Sequence, residues 1–286
     1  MFTDLLNQAP QANTSSLSNT LIEHKRRDLV LISALIEHPT EGLILFETGG
    51  GRDYPEVIGT PANDIFARID YTDDHDLNHA IAKTGHNICD IKAVIMGHLH
   101  LDHAGGLKHF QGTNVPIYVH ELELKHAFYT LATKSDEGKI LLMALLSTER
   151  ERHAFMITDQ IDLCCKGVYD SSALPLDLNW QAFHGSTLEL ASGINLHHSP
   201  GHTPGLCILQ LNLQNSGAWV FTSDQYHVEE NYHASHPQGW LARDHDDWVR
   251  SHQMIKALVK RTGAKLVFGH CSSTFVNYEQ APRYYQ

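Results

Sequence analysis

The chain has 286 residues, 42% of them hydrophobic, a length and composition that suit one large globular domain or two small ones. Its 33 acidic residues outnumber 21 basic ones, and the formal net charge of −12 disfavours nucleic acid or an anionic membrane as a partner. The five cysteines, an odd number, follow no disulfide or zinc-ribbon spacing, so we expect a cytoplasmic protein.

The first twenty residues form a polar segment that is rich in Asn, Gln, Ser and Thr. They lack the basic start and long apolar core of a secretory signal. No run in the chain approaches the ~20 apolar residues that a membrane-spanning helix needs. We therefore predict a flexible leader over 1–20 and a single domain over 21–286.

Alternating strands and helices are predicted over the next stretch. Two β-rich runs, 29–36 and 43–46, flank the turn sequence Pro-Thr-Glu-Gly at 39–42. The residues 75–83 are typical of a helix. The apolar run 91–96 predicts a buried strand, which Gly97 ends.

A dense group of metal-binding side chains follows this strand. His98, His100, Asp102 and His103 fall within six residues. Imidazole and carboxylate both suit zinc, and imidazole also suits iron, nickel and copper. Because His98 and His100 alternate in an extended turn, while Asp102 and His103 fall on another side, the loop can face two metal ions. Open α/β sheets place their ligands at this carboxyl edge.

The middle of the chain predicts a strand at 115–119 and a helix at 121–133. A second helix opens at 139–146 and is apolar nearly all round, so it must bury more than one face. It can pack on its own domain, on a second subunit or as the wall of a pocket. We predict that the segment 127–165 lines a pocket or the seam of a homodimer.

The last third predicts strands at 180–185, 187–190 and 194–197, and a hairpin of 206–213 with 218–222 around Asn-Ser-Gly at 215–217. An amphipathic helix over 245–262 ends where Gly263 suits a C-terminal cap, and 265–268 is a further strand. This alternation indicates an α/β fold, and it is compatible with two sheets between helices.

Three further candidate ligands each follow one of these apolar runs. They are His202 in the sequence Gly-His-Thr-Pro-Gly, Asp224 after Phe-Thr-Ser, and His270 after Phe-Gly. Each therefore lies at the end of a predicted strand, as His98 does. His197 and His198, which precede the first of these turns, are interpreted as strand residues.

Together these motifs resemble the metallo-β-lactamase superfamily and, within it, the N-acyl-homoserine lactonase group. The resemblance runs from about residue 29 to residue 270. It implies the αββα four-layer sandwich of the metallo-β-lactamase fold, with one such hydrolase domain over 21–286.

The resemblance also implies a ligand set for two divalent ions, which we expect to be zinc. His98, His100 and His202 would hold one ion, and Asp102, His103 and His270 the other, with Asp224 bridging both. A hydroxide bridging the two ions would attack the carbonyl of a lactone, and Asp102 would return a proton to the leaving alkoxide.

Two positions depart from the family pattern. Glu47 stands where the family usually has Asp, and it can hydrogen-bond to a metal-bound histidine only with a shifted backbone. The family's substrate-binding tyrosine stands three residues after the bridging Asp, which here is His227, whereas Tyr226 stands two after it. Either side chain can donate to the substrate carbonyl, so both are candidate catalytic residues.

The predicted function is that of a metal-dependent hydrolase that opens a small-molecule lactone, above all an N-acyl-homoserine lactone. The alternative is another lactonase or a glyoxalase II-type thioesterase, although the latter ordinarily carries a basic helical region after the last ligand. A nuclease is disfavoured by the negative charge, and a secreted β-lactamase by the missing signal. A noncatalytic binder with a decayed site conflicts with the intact ligand set.

Overall fold

A computed structural model describes residues 2–3, 27–58, 63, 66–132 and 177–286. The chain divides into two compact units: unit 1 comprises 1–32, 60–70 and 184–286, and unit 2 comprises 33–59 and 71–183. Most of the predicted leader, the predicted helix at 139–146 and most of the segment 127–165 lie outside the described residues. The single domain over 21–286 stays a prediction.

Unit 2 is built on a five-stranded sheet with the order β3-β4-β5-β6-β7. Its strands are β3 (Ala34–His38), β4 (Gly42–Phe46), β5 (Ile91–Ile95), β6 (Pro116–His120) and β7 (Asn179–Phe183). The hairpin β3–β4 is antiparallel and the other pairs are parallel. The parallel strands β5 and β6 are buried through Val94, Ile95, Ile117 and Val119, as expected for strands covered on both faces.

Among the described residues of unit 2, the helices are short apart from the last. They are α1 (Tyr54–Ile58), α2 (Leu77–Ala82), α3 (Leu101–Ala104) and α4 (Glu121–Ala132), with 3₁₀ turns at Asp73–His75, Ile88–Asp90 and Gly105–Phe110. The predicted helix at 75–83 divides because the Asp76 side chain accepts a hydrogen bond from the Asn78 amide and starts α2 there.

Unit 1 contains the mixed sheet β12-β11-β10-β9-β8 and a small antiparallel pair, β1 with β2. The bounds are β1 (Phe2–Thr3), β2 (Arg27–Asp28), β8 (Thr187–Ala191), β9 (Ile194–His198), β10 (Cys207–Leu213), β11 (Gly217–Phe221) and β12 (Lys265–Val267). Only β11 and β12 pair in parallel within the large sheet. The predicted hairpin around residues 215–217 is confirmed as β10–β11.

The helices of unit 1 are α5 (Glu229–His233), α6 (His245–Thr262) and α7 (Ser272–Phe275), with 3₁₀ turns at Ser223–Gln225 and Gly239–Leu241. The bounds of α6 agree with the prediction because both ends are capped. Asp244 accepts from the Asp247 amide at 2.8 Å. Gly263 has φ +66 and donates to the Val259 carbonyl.

The predicted strand at 29–36 differs most from the structure. Only its last three residues lie in β3, whereas Leu29 forms an isolated bridge with Cys271, and the Val30 amide donates to the His270 carbonyl. One apolar run thus supplies two separate pairings. The predicted α/β class is confirmed by two mixed sheets accompanied by helices. Within the described part of the chain, no helix is long and apolar enough to cross a membrane.

Candidate metal centre

The loop after β5 presents four of the predicted ligands. We call His98, His100, Asp102 and His103 the loop ligands. His98 lies in the loop, His100 is the N-cap of α3, and the last two belong to the helical turn itself. The backbone changes from extended to helical at His100, so the first pair lies at the start of the helical turn and the second pair lies within it. His98 Nε2 lies 3.0 Å from His100 Nδ1.

Glu47 orients one of these ligands. It follows β4, which runs parallel to β5, and its amide donates to the Ile95 carbonyl at 2.9 Å. Its backbone has φ +56, in the left-handed region that residues other than glycine seldom adopt. The Glu47 Oε2 atom lies 2.9 Å from His103 Nδ1, and both side chains are buried. The other ring nitrogen, His103 Nε2, therefore faces Asp102, whose Oδ2 is 3.8 Å away.

Thr48 holds the end of the same loop. Its amide and its hydroxyl both donate to the His103 carbonyl, at 2.8 and 2.7 Å. The same hydroxyl accepts from the Gly106 amide at 3.2 Å. A Cβ atom on Gly106 would collide with the Thr48 carbonyl oxygen, which explains the glycine pair after the histidine motif.

In unit 1 the remaining predicted ligands surround one carboxylate. We call His202, Asp224 and His270 the Asp224 cluster. Asp224 Oδ2 lies 3.4 Å from His202 Nε2, and Oδ1 lies 2.9 Å from His270 Nε2. All three side chains are buried. The two oxygens of one carboxylate thus face two different imidazoles, the arrangement needed for a carboxylate shared by two ions.

The parallel pairing of β11 and β12 brings Asp224 to His270. The two segments that follow these strands stay side by side. The Thr222 amide donates to the Val267 carbonyl and the His270 amide donates to the His227 carbonyl, both at 2.9 Å. Gly269 permits this approach, since a Cβ there would lie 2.5 Å from the Ser223 carbonyl oxygen. The ring of His270 is held from behind by the Val30 carbonyl, 2.8 Å from Nδ1.

The turn that carries His202 is braced from two sides. The Ser199 amide donates to the Leu206 carbonyl at 2.7 Å, and the Ser251 hydroxyl of α6 donates to the Pro200 carbonyl at 2.7 Å. His197 and His198 lie in β9, as predicted, and His198 Nε2 is 2.8 Å from the Pro204 carbonyl. These bonds fix the backbone on both sides of the ligand.

The two candidates for the substrate-binding donor have different surroundings. His227 Nε2 lies 3.1 Å from Asp224 Oδ2, and the His227 ring packs edge-on against His202. Tyr226 is fully buried, and its hydroxyl lies 2.8 Å from His252 Nδ1. Burial holds the pKa of the Tyr226 phenol well above its ordinary value. These contacts favour a packing role for Tyr226 and place His227 at the ligand cluster.

Two buried glutamines support the backbone at Asp224, and the sequence pattern does not reveal them. Gln225 and Trp248 exchange hydrogen bonds: the side-chain amide of Gln225 donates through Nε2 to the Trp248 backbone carbonyl, and the Trp248 indole donates to the Gln225 backbone carbonyl. Gln238 donates to the carbonyl oxygen of Asp224 itself. Glutamines are mostly exposed in proteins, so only their burial identifies these two.

Each set of side chains suits a transition-metal ion. Two ligands on a tetrahedral zinc, at 2.0–2.1 Å each, are separated by roughly 3.3 Å. His98 and His100 offer nitrogens 3.0 Å apart, and His202 and Asp224 offer a nitrogen and an oxygen 3.4 Å apart. In unit 2, Glu47, His98 and His103 offer ligand atoms that all lie within 4.8 Å of one another. Imidazole and carboxylate ligands that are oriented by hydrogen bonds to neighbouring groups are typical of zinc sites.

The family model of the metallo-β-lactamase superfamily matches residues 33–270, and the chain belongs to that superfamily. Its fold is the metallo-β-lactamase fold, an α/β sandwich, as the sequence predicted.

Two relatives indicate which group within the superfamily the chain is similar to. The chain is 26% identical to the N-acyl homoserine lactonase AttM of Azorhizobium caulinodans over 196 residues, which cover 68% of this chain and 64% of that protein. It is also 26% identical to an N-acyl homoserine lactonase of a Bacillus species over 260 residues, covering 90% of this chain and 87% of the relative. The chain thus spans less than two thirds of the first relative and most of the second.

Solved structures agree on the fold. A variant of AiiA from B. thuringiensis with N-decanoyl-L-homoserine at its active site superposes with a TM-score of 0.68 at 23% identity, covering 91% of this chain and 89% of that one. The dizinc quorum-quenching lactonase AidC, in complex with a product, gives a TM-score of 0.59 at 18% identity, covering 95% and 84%.

Proposed function

We propose that this chain is a dinuclear metal-dependent hydrolase that opens the ring of N-acyl homoserine lactones. The observation that carries the dinuclear part is the division of the Asp224 carboxylate, with Oδ2 toward His202 and Oδ1 toward His270. The substrate class is supported by the relatives, which are N-acyl homoserine lactonases.

The proposed metal ligands are the seven residues of the two sets: His98, His100, Asp102, His103, His202, Asp224 and His270. We propose zinc, because the donors are imidazole and carboxylate and because a dizinc lactonase shares the fold. Two bound ions would activate a water molecule as the nucleophile and polarise the lactone carbonyl.

We propose that Asp102 transfers the proton from the attacking water to the leaving ring oxygen. Its side chain is 19% exposed, whereas those of His103, His202 and Asp224 are 2–4% exposed, so it is more open to substrate than these three residues. The water oxygen adds to the lactone carbonyl, and the bond between that carbon and the ring oxygen breaks. Asp102 takes the proton from the water and delivers it to the ring oxygen, which leaves as an alcohol.

His227 is proposed as the residue that contacts the substrate carbonyl or steadies Asp224. Its place beside Asp224 Oδ2 supports this role, and Tyr226, whose hydroxyl meets His252, is the weaker candidate. A histidine here would donate through a ring nitrogen, as a tyrosine would through its hydroxyl.

Two finer proposals rest on the sequence. A cytoplasmic location is supported by the odd number of cysteines and by the free thiols of Cys89 and Cys271. A homodimer is supported by the apolar character of the sequence 139–146. Size-exclusion chromatography with light scattering tests the homodimer.

A substrate panel tests the function. The purified protein, loaded with Zn²⁺, is given homoserine lactones of graded acyl length, γ-lactones lacking the amide, and S-acyl glutathione thioesters. We expect acid release from the lactones and little from the thioesters. Preferential thioester hydrolysis would assign the glyoxalase II-type activity instead, and no hydrolysis of any ester would overturn the proposal.

A further inference from the structure

The loop ligands are held by two separate backbone anchors, and the anchors reach different halves of the loop. This matters because four ligands on one short loop must satisfy two ions at once. The first half carries His98 and His100, and the second half carries Asp102 and His103. The inference rests on the proposed dinuclear site and concerns residues outside the ligand set.

The first anchor is the carboxylate of Glu123. It lies in the first turn of α4 and is fully buried, and its Oε1 accepts the Leu99 amide at 3.0 Å. Leu99 stands between the two histidines of the first half, so this bond fixes the peptide that joins them. A carboxylate that accepts a backbone N–H makes a strong, charge-assisted hydrogen bond. Acidic side chains are rarely fully buried unless partners hold them, which marks Glu123 as unusual.

The position of the backbone has a direct effect on His100. This ligand meets His98 through Nδ1, the ring nitrogen nearest the main chain, so few side-chain rotations can correct a backbone displacement. Losing the hydrogen bond at Leu99 should therefore displace the nitrogen of His100 from that of His98.

The second anchor is Thr48. Its amide and hydroxyl both hold the His103 carbonyl, and its hydroxyl also receives the Gly106 amide. These bonds act on the end of α3, where Asp102 and His103 lie. The His100 carbonyl accepts the amides of His103 and Ala104, so the turn that separates the two halves begins at His100.

We propose that Glu123 and Thr48 are positioning residues with separate targets. Glu123 sets the affinity for the ion held by His98 and His100, and Thr48 sets the affinity for the ion held by Asp102 and His103. Partners that orient ligands from behind typically change metal affinity by about 10–100-fold when they are removed.

The test titrates metal-free protein with Cd²⁺ and follows each ion by ¹¹³Cd NMR. Each resonance is assigned by its loss in His100→Ala or in His103→Ala. Glu123→Met removes the acceptor at nearly constant volume, and Glu123→Gln retains an acceptor oxygen as the conservative rescue. Thr48→Val removes the hydroxyl, and Thr48→Ser retains it.

Two controls match these changes in chemistry. Glu121→Met alters an acid of the same helix whose carboxylate pairs with Lys125 at 2.9 Å. Thr84→Val removes a hydroxyl that donates to the Ile81 carbonyl at 2.6 Å, away from the loop ligands in sequence. Both controls should leave the two Cd²⁺ affinities unchanged.

We expect Glu123→Met to weaken only the His98–His100 ion and Thr48→Val only the Asp102–His103 ion, each by about 10–100-fold, with smaller losses in the conservative variants. Equal weakening of both ions by either variant, or no change in either, would overturn the assignment.

Amide hydrogen exchange in the metal-free protein separates this inference from the proposed function. Glu123→Met should accelerate exchange at Leu99, and Thr48→Val should accelerate it at Gly106. Unchanged exchange would show that Glu123 and Thr48 do not hold the loop, even if two ions bind. Accelerated exchange in a protein whose wild-type form fails to bind two Cd²⁺ ions would overturn both the two-ion assignment and the proposed function, while the hydrogen bonds themselves would stand.

Discussion

Replacing Tyr226 with phenylalanine tests whether this residue packs or contacts substrate. The ring is fully buried and packs edge-on against Tyr232 and Trp248, contacts that phenylalanine keeps. The substitution removes only the hydroxyl that meets His252 Nδ1 at 2.8 Å. Because His252 is itself buried, with Nε2 at 3.1 Å from the Ser235 hydroxyl, its Nδ1 would lose its buried partner.

The magnitude follows from that lost bond. Leaving one buried polar group unsatisfied lowers the free energy of unfolding by about 1–3 kcal/mol. For a chain somewhat larger than 250 residues, each kcal/mol lowers Tm by about 2–4 °C. We therefore expect Tyr226→Phe to melt several degrees below wild type and to keep its kcat on an N-acyl homoserine lactone.

The assay combines thermal unfolding with steady-state kinetics at fixed metal content. Tyr278→Phe is the matched control, because the Tyr278 hydroxyl also makes one internal bond, to the Leu266 carbonyl at 2.7 Å. Both variants should lose stability and retain turnover, whereas His227→Gln should lose turnover. A Tyr226→Phe enzyme with normal Tm and a kcat reduced tenfold or more would refute the packing role and return Tyr226 to the substrate.

Three further predictions concern the acid, the buried histidine and Glu47. Asp102→Asn should lower kcat by about 10²–10⁴-fold while elemental analysis still finds most of the metal, and a near-normal rate would remove Asp102 from proton transfer. Burial lowers the pKa of His252 to about 4, with Lys256 contributing. Between this pKa and the unfolded-state value of about 6.5, the unfolded chain binds a proton at His252 and the folded chain does not. The stabilisation from neutral His252 is therefore complete above about pH 6.5 and is lost as pH falls through about 4. Urea unfolding of metal-free protein should show this slope, and His252→Gln should flatten it; an equal slope in the variant would contradict the assignment. Glu47→Gln should weaken one of two ions by about 10–100-fold in a chelator competition, with Glu41→Gln as the exposed control, and unchanged affinity would remove Glu47 from the orientation of His103.

The sequence predicts those features that depend on local pattern. The helix α6 could be placed because its apolar spacing and both of its caps are written in consecutive residues. The candidate ligands could be predicted at strand ends because each follows an apolar run that ends abruptly. These signals need no knowledge of which strand lies beside which.

Features that depend on tertiary contacts could not be predicted. Glu121 and Glu123 stand two positions apart in the same helix, and only burial against the Leu99 amide distinguishes them. Counting residues from Asp224 likewise does not decide whether Tyr226 or His227 contacts the substrate. Ser223 adopts φ +44 and opens a 3₁₀ turn, so the directions of the side chains that follow no longer alternate as in a strand.

Metal reconstitution tests most directly whether two ions together drive lactone opening. Metal-free protein is titrated with Zn²⁺ while the hydrolysis of N-hexanoyl homoserine lactone is followed by acid release. We predict no turnover without metal and a rate that reaches its plateau at two equivalents per chain. Full activity in the metal-free protein, or a plateau at one equivalent, would contradict the account.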